Sequence, residues 1–306
     1  MKLALFDDFR LGLVQEEQIL DITGAVHGHD SDPLGAGWWV RLCRDFPEVK
    51  SRIIAVARTA KAKPLTGVRL RPAVLNPGKI VAAASNYAAH VEELQARSEE
   101  LKYIRENSAT QGWMKDFGVF LKAPSSIIGN GDAVLLPPDR VDARVEIHHE
   151  SELAVIVGSG GRDIPFSRAL DHVFGYTCAV DVTIREGADR SFRNSFDTFT
   201  PIGPWVTTSD EIEDPHKLRI RLSVDGKLRQ DVSTSDMATK VSGIIAFAST
   251  AMRLDPGDVI LTGSPPGVGT IADGMTMRTW IDKIGAMENP VRLRGQGSTS
   301  SRWRGE

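Results

Sequence analysis

Three acidic positions carry the strongest chemical signal in the chain. In Glu146-Ile-His-His-Glu-Ser-Glu-Leu-Ala-Val-Ile-Val-Gly158, Glu150 and Glu152 open a run of apolar residues. Alternate side chains of a strand point to one face, so this spacing predicts two carboxylates on the same face, about 6–7 Å apart. Their mutual repulsion favours a bound cation, and carboxylate oxygens suit a hard ion such as Mg²⁺ or Mn²⁺. An isolated Glu-x-Glu at a strand entrance would more simply face solvent. A third carboxylate, Asp181, follows a second apolar run in Phe174-Gly-Tyr-Thr-Cys-Ala-Val-Asp-Val-Thr-Ile-Arg185 and also falls near a strand end.

Two further groups have chemistry to offer. His90 and Glu93 lie three residues apart at the start of a stretch to Arg105, where Leu94, Leu101 and Ile104 give a helical apolar stripe. A carboxylate beside an imidazole fixes its tautomer and raises its basicity, as a general base requires. On spacing alone a surface His-Glu pair is the plainer reading. Lys122 is a lone cation on the apolar run Val119-Phe-Leu-Lys-Ala-Pro-Ser-Ser126. Buried lysines are rare unless paired, so Lys122 is expected to reach the acidic site or a substrate carboxylate; a snorkelling surface lysine is the alternative.

The arrangement resembles the fumarylacetoacetate hydrolase family, in which Glu-x-Glu and a later Asp bind a divalent metal. Further matches are Ser85-Asn-Tyr-Ala-Ala-His90, Phe196-Asp-Thr-Phe-Thr-Pro-Ile-Gly-Pro204, Leu254 to Gly269 and Asp282 to Val291, in family order from about Lys79 to Val291. The resemblance implies Glu150, Glu152 and Asp181 as ligands for Mg²⁺ or Mn²⁺, with Ca²⁺ as a further fit. It implies His90, Glu93 and Lys122 as catalytic groups, the His-Glu dyad lying on a segment that orders over substrate. It also implies substrate contacts from Asn86, Tyr87, Arg185, Gln230 and Ser264, though Arg185 could equally form a structural salt bridge.

The implied activity is metal-dependent cleavage of a carbon–carbon bond in an acylpyruvate-type diketo acid, such as fumarylpyruvate. Decarboxylation or tautomerisation of oxaloacetate and hydration of a 2-oxo acid are alternatives within the same family. A non-catalytic, metal-dependent binding protein for 2-oxo acids is an alternative from another class. The implied assembly is a homodimer. Three positions depart from the family pattern. Asn194 stands where relatives usually carry a lysine, with Arg193 beside it, Val180 replaces a usual asparagine, and Ser264 replaces a commoner threonine.

These residues need a scaffold, and at 306 residues with 41% hydrophobic content the chain can bury a large core. The expected class is α+β and β-rich, with a small N-terminal domain over 1–72, a catalytic domain rolled from mixed β-structure over 73–293, and a loosely ordered tail over 294–306. Short strands are predicted at Lys2 to Phe6, Gly12 to Gln15 and Asp21 to Ala25, then a helical stretch from Trp39 to about Ala60. A linker or edge strand is expected between Pro64 and Pro77. The polar stretch from about Ala96 to Phe117 suits a lid. Asp225-Gly226, between alternating runs, predicts a hairpin. His27 and His29 sit in a Gly, Asp and Pro-rich stretch and read as a solvated loop.

The net charge is −3, with no basic stripe of the kind that binds nucleic acid. No apolar run approaches bilayer length, and two acids interrupt the first ten residues where a signal peptide needs an apolar segment, so a cytoplasmic protein acting on a small molecule is expected. Cys43 and Cys178 are too few for a disulfide framework and read as small buried hydrophobes.

Overall fold

The computed structural model describes residues 1–29, 31–90 and 118–295. Glu93, the expected lid and the tail beyond residue 295 lie outside the described residues.

An eleven-stranded sheet runs through the molecule. Lys2–Phe6, Arg10–Gln15 and Gln18–Asp21 form an antiparallel meander. Ala62–Pro64 closes its edge, a position where proline's missing N–H breaks no ladder. On the other side Lys2–Phe6 pairs with Thr200–Thr208, and the sheet continues through Val173–Val180, Ser151–Val157, Val259–Leu261, Ile80–Ala83 and Val119–Lys122. The N-terminal strands thus extend the sheet that carries Glu152. A five-stranded sheet covers part of one face and contains the hairpin Arg219–Val224 with Lys227–Ser233, turned by Asp225 and Gly226 as their residue types demand.

Both faces of the large sheet are covered, which is why its central strands lack the polar alternation of a half-exposed strand. Leu153, Val155, Tyr176 and Cys178 pack with Ile220, Leu222, Met277 and Met287 of the second sheet. Ala154, Ile156, Phe174 and Ala179 face Trp38, Trp39, Leu42, Phe46 and Ile53 from the helices Ala36–Arg44 and Phe46–Ala57. Every residue of Ser151–Val157 is buried. At roughly 1.5–3 kcal/mol for each large apolar side chain, this packing anchors the strand whose first residues hold the acids.

Several local expectations shift. The third strand ends at Asp21, and Thr23–Ala25 forms a 3-10 turn in which Thr23 N–H bonds the Asp21 carboxylate at 3.1 Å. The long helical stretch divides at Asp45, with Pro47 in the first turn of the second helix, where its missing N–H costs nothing. His29 is buried, with Nε2 at 2.9 Å from the Phe9 carbonyl and its ring edge-on to Trp38, so it is a packed residue within the loop. Cys43 and Cys178 are free and buried. Among the described residues no helix is long and apolar enough to cross a membrane.

Gly129 lies directly against the Arg71–Pro72 backbone. A Cβ there would lie 2.6 Å from the Pro72 nitrogen and 2.7 Å from the Arg71 carbonyl carbon, both backbone atoms that cannot swing away. Gly129→Ala is therefore expected to lower stability by about 1–3 kcal/mol, read as a fall in the thermal midpoint. An unchanged midpoint would show that this contact yields without cost.

Candidate active site

Antiparallel register brings the three acids together. Ser151–Val157 pairs with Val173–Val180 so that Glu152 lies opposite Ala179 and Ser151 opposite Val180. The chain leaving the second strand reaches Asp181 beside the start of the first, and Asp181 N–H bonds the Glu150 carbonyl at 2.7 Å. Glu150 itself sits between two strands that join different sheets, Ile147–His149 and Ser151–Val157. The carboxylates of Glu150, Glu152 and Asp181 offer ligand oxygens within 4.8 Å of one another, and all three residues are buried.

Each acid has a dedicated support. Glu152 Oε2 accepts the backbone N–H of Gly263 at 2.6 Å. Gly263 has φ +92°, and a Cβ would stand 2.5 Å from Asn86 Cβ, so only glycine can present its N–H so closely. Asp181 is paired with Lys122, whose ammonium also donates to the Phe199 carbonyl at 3.1 Å. Lys122 is opposite Ile80 in its strand pair and is almost wholly buried, so pairing rather than snorkelling accounts for it. Glu150 is paired with Arg185. Arg185 Nε donates to His148 Nδ1 at 3.0 Å, which leaves Nε2–H of His148 to donate to Glu146 at 2.9 Å.

The electrostatics follow from burial and crowding. Burial, then the charges of Asp181 and Glu150, push the Glu152 carboxyl well above its ordinary range. Burial raises Asp181 to about 6 against the pull of Lys122, with Glu150 adding to the rise. Glu150 is held below the usual range despite burial, because Arg185, His90 and His148 favour its charged form. Burial and Arg185 depress His148, in keeping with a neutral imidazole that accepts from Arg185. Lys122 and Arg185 balance two of the three negative charges. Hard oxygen donors at this spacing, with an excess of negative charge, fit a divalent ion such as Mg²⁺ or Mn²⁺.

The acids open into a cleft of about 700 Å³ whose lining includes Ser85, His90, Phe120, His148, Thr183, Arg185, Arg190, Arg193, Asn194 and Ser264. His90 is buried in this wall, within electrostatic reach of Glu150. Ser264 lines the cleft and accepts from Gln230 Nε2 at 3.0 Å.

Asn86, Tyr87 and Gln230 are buried and do not line the cleft formed by the described residues. The Asn86 amide donates to the carbonyls of Thr239 and Thr262 and accepts from Thr239 N–H, all within 2.7–2.8 Å. Gln230 accepts from Ser151 N–H and donates to the Pro265 carbonyl at 2.9 Å. Both amides pin the loops that present Glu152 and Ser264. Sequence reading passed over Glu146, His148, Thr183 and Arg190. The signal for the first two was present, since the alternation that pairs Glu150 with Glu152 continues backward through His148 and Glu146. Thr183 stands two residues after Asp181, so the same alternation pointed to it, whereas Arg190 gave none, because its approach depends on a short helix returning to the strand end.

Comparisons with known proteins accord with this geometry. Residues 79–292 match the fumarylacetoacetate (FAA) hydrolase C-terminal family. A maleylpyruvate hydrolase of Aquipseudomonas alcaligenes is 38% identical over 292 residues, covering 95% of this chain and 99% of that one. A mitochondrial oxaloacetate tautomerase of Xenopus laevis is 35% identical over 266 residues, covering 81% of this chain and 77% of that one. The crystal structure of maleylpyruvate hydrolase from Sphingobium sp. SYK-6 in complex with manganese(II) and pyruvate superposes with a TM-score of 0.78 at 36% identity, covering 96% of this chain and 99% of that one. The family match over most of the chain, and relatives this similar over nearly its full length, establish that this protein belongs to the fumarylacetoacetate hydrolase family.

Proposed function

We propose that this protein hydrolyses the carbon–carbon bond of an acylpyruvate, giving pyruvate and a carboxylic acid. The observation that carries this reading is the buried triad Glu150, Glu152 and Asp181 opening into one cleft with His90. The manganese and pyruvate bound by the Sphingobium relative support it. In this reading the three acids hold a divalent ion, which supplies Lewis acidity toward the 2-oxo acid end of the substrate.

The chain's own groups supply the rest. With Lys122 and Arg185 cancelling two negative charges, one excess charge remains on the acids, and a divalent ion reverses it. A site of net positive charge suits an anionic 2-oxo acid. His90 would take a proton from a water attacking the distal carbonyl, with Glu93 as the group that would orient it. Cleavage would then expel the pyruvate half as an enolate, which takes back the proton held by His90 to give pyruvate, while Lys122, buried behind the cleft wall, keeps Asp181 paired. Arg185 holds Glu150 in its ionised form, which keeps a ligand oxygen available.

Tautomerisation of oxaloacetate is the second reading, favoured by the likeness to the Xenopus enzyme. It needs the acids and a proton-transfer group, but no water positioned for attack. His90→Ala separates the two. Hydrolysis predicts that acylpyruvate cleavage falls by about 100- to 10,000-fold while any oxaloacetate turnover survives. Equal loss of both would mean that His90 serves both reactions alike, as a proton-transfer group or by positioning substrate, and would remove its specific role in activating water.

The direct test is pyruvate release from fumarylpyruvate, maleylpyruvate and acetylpyruvate, using protein stripped with EDTA and then given Mg²⁺ or Mn²⁺. Metal-restored release is expected. Silence on every diketone with oxaloacetate still converted would replace hydrolysis by the tautomerase reading.

The acids also set a pH dependence. Without metal, folded Glu152 and Asp181 bind protons more tightly than they do in the unfolded chain, so the folded state carries more protons. Stability then falls as pH rises across the window set by Asp181, from 3.8 to about 6, with Glu150 offsetting part of the loss. Glu152→Gln keeps an acceptor for Gly263 N–H but removes the charge. It is expected to raise the metal-free thermal midpoint at neutral pH by roughly 2–4 °C and to abolish stabilisation by Mn²⁺. A lower midpoint, or a metal shift of native size, would contradict the assignment of Glu152 as a ligand.

A further inference from the structure

The outer cleft holds a cation that the mechanism above does not use. Arg193 ends the short helix Arg190–Arg193 and lines the cleft. Its guanidinium donates to the Ile184 carbonyl at 3.3 Å, and it forms no ion pair with any described residue. It lies within electrostatic reach of Arg185, Glu150 and Asp181, and burial followed by the charge of Arg185 pulls its pKa below the ordinary arginine value. Arg185, by contrast, is already committed to Glu150 and His148. Glu150 and Asp181 offset part of the repulsion between the two guanidinium groups without forming an ion pair with Arg193, and a bidentate carboxylate is the group that arginine geometry matches best.

The neighbouring residue explains how Arg193 is held there. Asn194 is buried, and its amide donates to the Arg190 carbonyl at 2.8 Å while accepting from the Thr183 hydroxyl. Thr183 belongs to the stretch that carries Asp181, and its hydroxyl also lies 3.2 Å from the Asp181 carbonyl. On the other side Ser195 Oγ accepts from Ala123 N–H at 2.9 Å, next to Lys122. The turn bearing Arg193 is therefore tied to the two strand ends that carry the acid site's own Asp181 and Lys122.

We propose that Arg193 receives a second carboxylate, borne by the acyl part of the substrate, and that Asn194 is the positioning residue that holds Arg193 in place. The preferred substrates are then acylpyruvates whose acyl group ends in a carboxylate. This rests on the acylpyruvate reading above, so the test carries one arm that depends on turnover and one that does not.

In the first arm, kcat and KM are measured for fumarylpyruvate, which carries the second carboxylate, and acetylpyruvate, which lacks it. Arg193→Gln is expected to lower the ratio of the two kcat/KM values on the order of 10- to 100-fold, with the loss in KM for fumarylpyruvate. Arg193→Lys keeps the charge without the fork and should recover part of the ratio. Asn194→Ala should lower the ratio in the same direction, again through KM. A ratio within about threefold of native in Arg193→Gln, whether both activities fall or neither does, overturns the role of Arg193. Equal loss on both substrates in Asn194→Ala reduces Asn194 to a structural residue and overturns its part of the proposal.

In the second arm, the Mn²⁺-loaded protein is titrated with fumarate, and with acetate as control, while the thermal midpoint is followed. Stabilisation by fumarate that is lost in Arg193→Gln supports the anion site even if no acylpyruvate is turned over, in which case only the hydrolase reading falls. Stabilisation that persists unchanged in Arg193→Gln, or is absent from the native protein, sinks the anion site whatever the turnover shows.

Discussion

The rest of the site depends on one electrostatic constraint, the packing of three carboxylates with oxygens within 4.8 Å of each other in a buried setting. Burial makes each charge costly, and proximity makes the second and third costlier still. The fold meets this cost with a fixed ring of partners. Lys122 serves Asp181, Arg185 serves Glu150, and the Gly263 N–H serves Glu152. Three partners are not three neutralising charges, however. Glu152 has only a backbone dipole, and it is the acid pushed well above its ordinary range. Glu152 is thus the acid whose charge the protein itself compensates least, and a divalent ion that displaces its proton is the natural complement of the site.

That ring explains why so many polar groups are buried without touching the cleft. Asn86 fastens the loops around Thr239 and Thr262, which brings Gly263 close enough to reach Glu152. Gln230 connects Ser151, next to both acids, with Ser264 and Pro265. Such amides are well suited to the task, because each can donate and accept in one plane and so fix two backbone segments at once. Their burial is also a reason that a substitution here would disturb function without touching substrate. The two sheets around them supply the rigidity, through apolar side chains packed on both faces of Ser151–Val157.

Much of this was legible in the sequence, and what was not has a definable cause. Glu150, Glu152 and Asp181 were legible because period-two spacing and a strand end are local features, and so was the Asp225-Gly226 hairpin. The pairing of Lys122 followed from the rarity of an unpaired lysine in an apolar run, although its partner was fixed only by long-range strand order. Roles for Asn86 and Gln230 were harder, since an amide on a strand end looks the same in sequence whether it meets substrate or a backbone carbonyl. The break of the main strand at Glu150 was hidden, because the residues on either side of it alternate without interruption while joining different sheets. His29 was misjudged for a related reason. A glycine-rich stretch predicts a loop, and it is one, but burial depends on what folds over it, here Trp38.

Asn194 stands where the resemblance leads to the expectation of a lysine, and the ion pairs on Asp181 and Glu150 form without that charge. A lysine at this position would place an ammonium close to the acids, beside Thr183 and near the charge already supplied by Lys122. Asn194 removes that charge and converts the side chain into a tie between Thr183 and the helix Arg190–Arg193. A positive charge stands instead on the neighbouring Arg193, which lines the same cleft as Asn194 but is less buried. The inner balance is then set by Lys122 and Arg185 alone, whereas the outer cleft gains a fork-shaped cation that the acids do not claim. Because the two regions are held by different partners, the outer one can be altered without breaking the ion pairs on Asp181 and Glu150. In the proposal made above, chemistry common to the family would stay with the triad, while the choice of acyl group would fall to the residues on the short helix beside it.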